Sequence, residues 1–148
     1  MLKKLDNTKL ITAENMHHVF QKSYTVEADL LEAINFPPLQ RTIENFAVCK
    51  NDFFGYFKDD TLAGIIEIKH HTSYTHVQSL VVLPFFFRQG IASQLMSFVF
   101  MHYRKKPFFV ETGVKNKPAI NLYKKMGFVE VKQWDTDYGI RKIRLNKG

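Results

Sequence analysis

The stretch Leu80-Val81-Val82-Leu83-Pro84-Phe85-Phe86-Phe87-Arg88-Gln89-Gly90-Ile91-Ala92-Ser93 reads as an apolar strand, a short loop and the start of an amphipathic helix. Gly90 and Ala92 matter for what they lack, because small residues leave the first amides of that helix uncovered. Such amides have no intrahelical acceptor and carry the positive end of the helix dipole, so an anion, a pyrophosphate above all, can sit directly on the backbone. Arg88 adds a guanidinium at the same mouth, placed to pair with a phosphate. The competing account is a helix that merely opens on glycine after a strand.

A second segment, NKPAINLYKKMGF from Asn116 to Phe128, supports the anion site. Together the two segments make the chain resemble the GNAT family of N-acetyltransferases. In that family a strand ending in V-x-P is followed by Q/R-x-x-G-x-G/A opening a helix, and later by N-x-x-A-x-x-x-Y-x-x-x-G-F. Here stand Val82 and Pro84, Gly90 and Ala92, then Asn116, Ala119, Tyr123, Gly127 and Phe128 at that spacing. The resemblance covers roughly residues 62 to 133, and the N-terminal third only by its order of helices and strands. It implies acetyl-CoA as co-substrate, its pyrophosphate held by the amides of Arg88, Gln89, Gly90, Ile91, Ala92 and Ser93. It also implies that Leu80, Val81 and Val82 pair with the pantetheine arm, that Asn116 holds the arm, and that an amide at a strand bulge near Val82 meets the oxyanion. One position departs: Phe87 stands where the family carries Gln or Arg, with Arg88 one place later. The resemblance therefore leaves Phe87 to pack against the adenine or the core.

Amine acetylation needs a neutral amine, and a free alkyl ammonium has a pKa near about 10, so a base must take its proton. The leaving thiolate then needs one back. Tyr123 matches the family's position for that acid; the alternative is a tyrosine that only packs under the cofactor. For the base, the residue matching the family's strand glutamate is Gln78, which cannot accept a proton at neutral pH. The ribosomal-protein N-terminal acetyltransferases resembled by the later region place theirs where Glu111 stands, and Glu111 is the candidate base, against a role in orienting substrate or capping the sheet. Glu67 is held in reserve, with an exposed strand carboxylate as the plainer account. No cysteine lies in the matching segments, which favours direct attack in a ternary complex. The loop Asn35-Phe36-Pro37-Pro38-Leu39, with Tyr24 and Tyr74, would select the acceptor, an amine of a small molecule or peptide. A wall of aromatics with few acidic groups favours a small or partly apolar amine over a polycation.

The elements that must position these groups can be read from periodicity. Thr12 can cap a first helix carrying Met16, Val19, Phe20 and Tyr24, and a second begins near Thr25 and ends at Pro37-Pro38. Residues 40 to 46 form a further helical turn. Strands follow at Phe53 to Phe57, Leu62 to His71 and Val77 to Leu83, with hairpin turns at Asp59-Asp60 and His71-Thr72-Ser73. Pro84 should stop the pairing there. From Gly90 a helix presents Ile91, Leu95, Phe98, Val99 and His102 on one face as far as Pro107. A strand at Phe108 to Thr112, a helix at Pro118 to Met126 and strands at Phe128 to Gln133 and Tyr138 to Leu145 complete the chain. The class is α+β, or mixed α/β, with a central mostly antiparallel twisted sheet of six to seven strands flanked by about four helices.

With 148 residues and 45% apolar composition, residues 1–148 are read as a single domain able to bury a core. No run approaches the length of a membrane span, and no signal segment follows the first lysines, so the protein is read as cytoplasmic without a membrane partner. The net charge of +7 favours an anionic ligand, but no basic run exceeds Arg104 to Lys106, so a nucleic-acid partner is disfavoured. The lone cysteine, Cys49, excludes an intrachain disulfide and reads as a small buried hydrophobe. Adjacent histidines at 17–18 and 70–71 point apart, and no metal site is expected. A homodimer is compatible with the sequence. A rival reading, motivated by Gln78 and Phe87, is a module that binds acyl-CoA without transferring the acyl group.

Overall fold

The computed structural model describes residues 1–148. Its elements are β1 (Leu2–Lys4), α1 (Leu10–Leu31), α2 (Ile43–Val48), β2 (Asp52–Lys58), β3 (Thr61–His70), β4 (Thr75–Val82), α3 (Ile91–His102), β5 (Phe108–Gly113), α4 (Lys117–Lys125), β6 (Val129–Asp135) and β7 (Arg141–Lys147). Short 3-10 turns cover Pro37–Gln40 and Pro84–Phe86. The strands form one seven-stranded sheet in the order β1-β2-β3-β4-β5-β7-β6, and only the β4–β5 pair is parallel. The mixed α+β class with four helices is the one the pattern of elements predicts.

Alternation along the strands divides the core between the two faces. Phe53, Ile65 and Val81 join Met16, Val19 and Phe20 of α1 and Phe46 of α2 on one face. Phe54, Ile66 and Val110 join Leu95, Met96 and Val99 of α3 and Ile120 and Tyr123 of α4 on the other. Gly64 lets α3 close on the sheet, since a Cβ there would lie 2.9 Å from Ile91 Cγ2. At the first hairpin Asp59 and Asp60 have φ of 51° and 65°, the two positive angles of a type I′ turn, whose twist suits a two-residue loop.

Three details depart from the sequence expectation. The N-terminal helical region is one helix of 22 residues, not two. Thr25 does not break it, because its Oγ1 donates to the Gln21 carbonyl at 2.7 Å within the helix. Thr12 does not cap it either; the cap position is Lys9. The Thr42 side chain does cap α2, accepting from Asn45 N in a reciprocal capping box. The short edge strand β1, too brief for alternation to show, pairs with β2 from Leu2 opposite Tyr56 to Lys4 opposite Phe54.

Candidate active site

The site arises where the sheet splits. β4 and β5 are paired only from Thr75, His76 and Val77 opposite Phe108, Phe109 and Val110. Beyond that point β5 continues to Gly113 beside β7 and β4 to Val82 beside β3, leaving a gap between them. Parallel strands held by few bonds can diverge without losing their outer partners, and the gap links the α1 face to the α3 and α4 face.

At one mouth of the gap lies the strand-to-helix turn. Gly90 occupies the cap position of α3 with φ 78°, and Arg88 has φ 65°. The first backbone bond of the helix runs from Gln94 N to Gly90 O at 3.1 Å, and the amides of Arg88, Gln89, Gly90, Ile91, Ala92 and Ser93 donate to no acceptor in the chain. A Cβ built at Gly90 meets nothing within 4 Å. Six consecutive free amides at the positive end of a 12-residue helix, with open space in front, fit a diphosphate. Phe87 is 42% exposed and belongs to no core cluster, whereas Phe86 packs against the core. The Lys58 ammonium donates to Gln89 Oε1 beside the turn.

Tyr123 of α4 approaches the gap from the same side. Its ring is buried against Phe128, and its hydroxyl makes no hydrogen bond to the chain. Burial first, and the charge of Glu27 second, raise its pKa well above that of a free phenol. Glu27 belongs to α1 on the opposite face, so the two groups sense each other across the gap. Asn116 makes the link: its Oδ1 accepts from Ala119 N at 3.4 Å as the cap of α4, and its Nδ2 donates to Glu27 Oε1 at 2.8 Å and to Thr112 Oγ1 at 3.2 Å.

On the α1 face the gap opens into a cavity of about 670 Å³. Three carboxylates line it: Glu27, Glu67 and Glu111. Burial pushes Glu27 up to about 7, against the opposing pull of the Asn116 hydrogen bond and the charge of Lys142. Glu67 is fully buried, not an exposed strand carboxylate, which corrects the sequence reading. Its two oxygens accept from Arg41 Nη1 and Nη2 at 2.8 Å each, and Oε2 also from Asn51 at 2.8 Å. Burial opposes its ionisation, but the Arg41 hydrogen bonds and charge outweigh it and hold the carboxyl below the usual range. Glu111 is half-buried on the cavity wall, opposite Arg144 of β7. Tyr24, Phe36, Pro37 and Pro38 also line the space, whereas Asn35 and Leu39 of the same loop do not. Tyr74 does not; it stacks on His71 at 4.2 Å.

Sequence reasoning missed Glu27, Arg41 and Ser23. The bulge expected near Val82 lies instead at Gln78: Glu67 pairs with Ser79 and Ile68 with Val77, so Gln78 is the extra residue. The Val82 amide donates to Ser23 Oγ at 3.3 Å. Cys49 is half-buried and packs against the apolar cluster of the α1 face, while its Sγ lies 3.5 Å from Arg41 Nη2 and 3.7 Å from Glu67 Oε2. The few acidic groups anticipated around the acceptor are in fact three.

The acetyltransferase (GNAT) family model matches residues 13–128. The chain belongs to the GNAT acetyltransferase family. Its fold is similar to that of the ribosomal-protein-S18-alanine N-acetyltransferase from Escherichia coli, with a TM-score of 0.77 and 18% identity over 99% of this chain and 92% of that one. It is similar also to the PaiA N-acetyltransferase from Thermoplasma acidophilum in complex with coenzyme A, with a TM-score of 0.74 and 18% identity over 97% and 96%. In sequence the chain is 30% identical over 129 residues to the UPF0157 protein YqkA of Bacillus subtilis (strain 168), covering 86% of this chain. It spans only 38% of the length of that relative. No helix of this GNAT domain is long and apolar enough to cross a membrane.

Proposed function

We propose that this GNAT domain transfers the acetyl group of acetyl-CoA to an amine of a small molecule or peptide held in the cavity on the α1 face. The observation that carries this is the row of six unpartnered amides from Arg88 to Ser93 at the mouth of a gap that leads to a carboxylate-lined cavity. The amides would hold the pyrophosphate of CoA, and the thioester makes its acyl carbon open to attack when bound. The exposed strand edge at Leu80, Val81 and Val82 offers pairing for the pantetheine arm, with Ser23 as competitor for the Val82 amide. Asn116 spends its side chain on Glu27, Thr112 and the cap of α4, so its part toward the arm is to hold the gap's geometry.

In this reading the amine docks in the cavity, loses a proton to a carboxylate and attacks directly. Tyr123 faces the sulfur end and supplies the thiol proton. Glu67 is spoken for by Arg41, which leaves Glu111 and Glu27 to serve as base and as ammonium contact. Lack of a carboxylate at Gln78 is then no obstacle to turnover, which weighs against a module that only binds. An amine acceptor of modest size suits about 670 Å³.

Calorimetric titration with acetyl-CoA, followed by a thiol-release assay over a library of amines, tests the proposal. Saturable binding with amine-dependent thiol release is expected. Binding without release under any amine would reduce the domain to an acyl-CoA-binding module.

A further inference from the structure

Glu27 of α1 reaches across the gap to Asn116 at the start of α4. It lies on the stripe of α1 formed by Phe20, Tyr24, Glu27 and Leu31, the side chains that roof the cavity. A charged residue buried in such a stripe costs stability unless it is paired and hydrogen-bonded. Its one hydrogen bond, from Asn116 Nδ2 at 2.8 Å, satisfies a single oxygen and turns the carboxylate toward the gap.

Resting on the acetyltransferase reading above, we infer that Glu27 is the catalytic base of this domain and that Glu111 contacts the acceptor without taking its proton. The groups around Glu27 set this division. Tyr24 lies on its own helix, Lys142 on β7 and Glu111 on β5, with Tyr123 and Asn116 beyond the gap, while Glu67 and Arg41 neutralise each other at 2.8 Å.

The proton inventory closes with the chain's own groups. Glu27 takes one proton from the ammonium. The nitrogen lone pair bonds to the acyl carbon as the carbon–sulfur bond breaks and its electrons leave on sulfur. Sulfur takes the Tyr123 proton, the phenolate recovers the second proton from nitrogen, and Glu27 releases its own to solvent. The steps assist one another, because the Glu27 charge is one of the causes holding the Tyr123 proton. Once Glu27 is neutral, that restraint is gone and the phenol becomes a better acid.

The test uses the full chain with alaninamide as the probe amine. Wild type should show an acid limb in kcat/KM near pH 7 that survives in Glu111→Gln and vanishes in Glu27→Gln, with kcat reduced about 10²–10⁴-fold in the latter. Glu111→Gln should raise KM for alaninamide more than it lowers kcat. Carbon-13 NMR of labelled glutamates supplies a readout apart from turnover. The Glu27 carboxyl should titrate near pH 7, and alaninamide should shift its midpoint downward. Loss of the limb in Glu111→Gln and not in Glu27→Gln would overturn the inference, as would a Glu27 resonance unmoved by alaninamide. Absence of turnover with every amine, while acetyl-CoA still binds, would instead sink the acetyltransferase reading itself.

Discussion

Replacing Arg41 with methionine isolates the electrostatics of the cavity wall. Glu67 is wholly buried, and both its oxygens depend on the guanidinium at 2.8 Å, with Asn51 as its other close donor at 2.8 Å. Without Arg41 the carboxyl either stays charged in the interior or takes up a proton. Removing one member of a buried pair costs about 3–5 kcal/mol. The protonation route gives a separate figure: an unfolded glutamate titrates near about 4.3, so keeping it neutral at pH 7 costs roughly 2.7 × 1.36, or about 3.7 kcal/mol. The chain takes the cheaper route, so the penalty at pH 7 should be about 4 kcal/mol. The sign of its pH dependence is fixed. In wild type the folded pKa is depressed, and the stabilisation is present above the unfolded value and lost only as pH falls through the folded one. In the variant the folded pKa is raised, so the fold regains stability as pH falls toward the unfolded value. The gap between the two proteins should therefore close by about 1.4 kcal/mol per pH unit from pH 7 to about 4.5. Urea denaturation of both at pH 7, 6 and 5 measures it. A penalty independent of pH would refute this reasoning and assign the loss to packing of the guanidinium, which lies 4.2 Å from the Phe46 ring centroid.

Tyr123→Phe should lower turnover about 10²–10⁴-fold while CoA affinity stays nearly intact; full turnover would remove Tyr123 from the acid role. Glu27→Gln should stabilise the fold above pH 7 by roughly 2–4 kcal/mol and leave it unchanged near pH 4, because a raised carboxylate pKa weakens the fold increasingly as pH climbs from its unfolded to its folded value. Equal urea midpoints at pH 8 would show that the carboxylate is not strained by burial. Gly113→Ala places a Cβ 2.3 Å from Leu31 Cδ2 and should cost about 1–3 kcal/mol while loosening the end of α1 that roofs the cavity. An unaltered denaturation midpoint would mean that α1 is not held there.

The fold and the strand-to-helix turn before α3 were legible because their signals are local. A strand that stops at Pro84, a glycine at the cap of α3 and an asparagine ahead of Pro118 are each a few residues long, and their backbone geometry follows from residue type. The cavity on the α1 face was less legible, because its groups come from distant parts of the chain. Reading a break at Thr25 removed Glu27 from the stripe of Phe20, Tyr24 and Leu31; on one unbroken helix, a carboxylate interrupting that stripe is the signal. The pairing of Arg41 with Glu67 spans 26 residues and carries no local mark. The bulge at Gln78 has no mark in the strand pattern, yet it shifts the register between β3 and β4 beside Glu67. β1 escaped notice because three residues at an edge hold their place by pairing with β2, not by a pattern of their own.

The central claim is that the amides at the start of α3 cradle the diphosphate of CoA. Nitrogen-15 NMR of the full chain titrated with CoA reads those amides one at a time. Arg88 to Ser93 should show the largest downfield shifts, saturating together at the calorimetric affinity. Tight CoA binding that leaves these six resonances in place would contradict it.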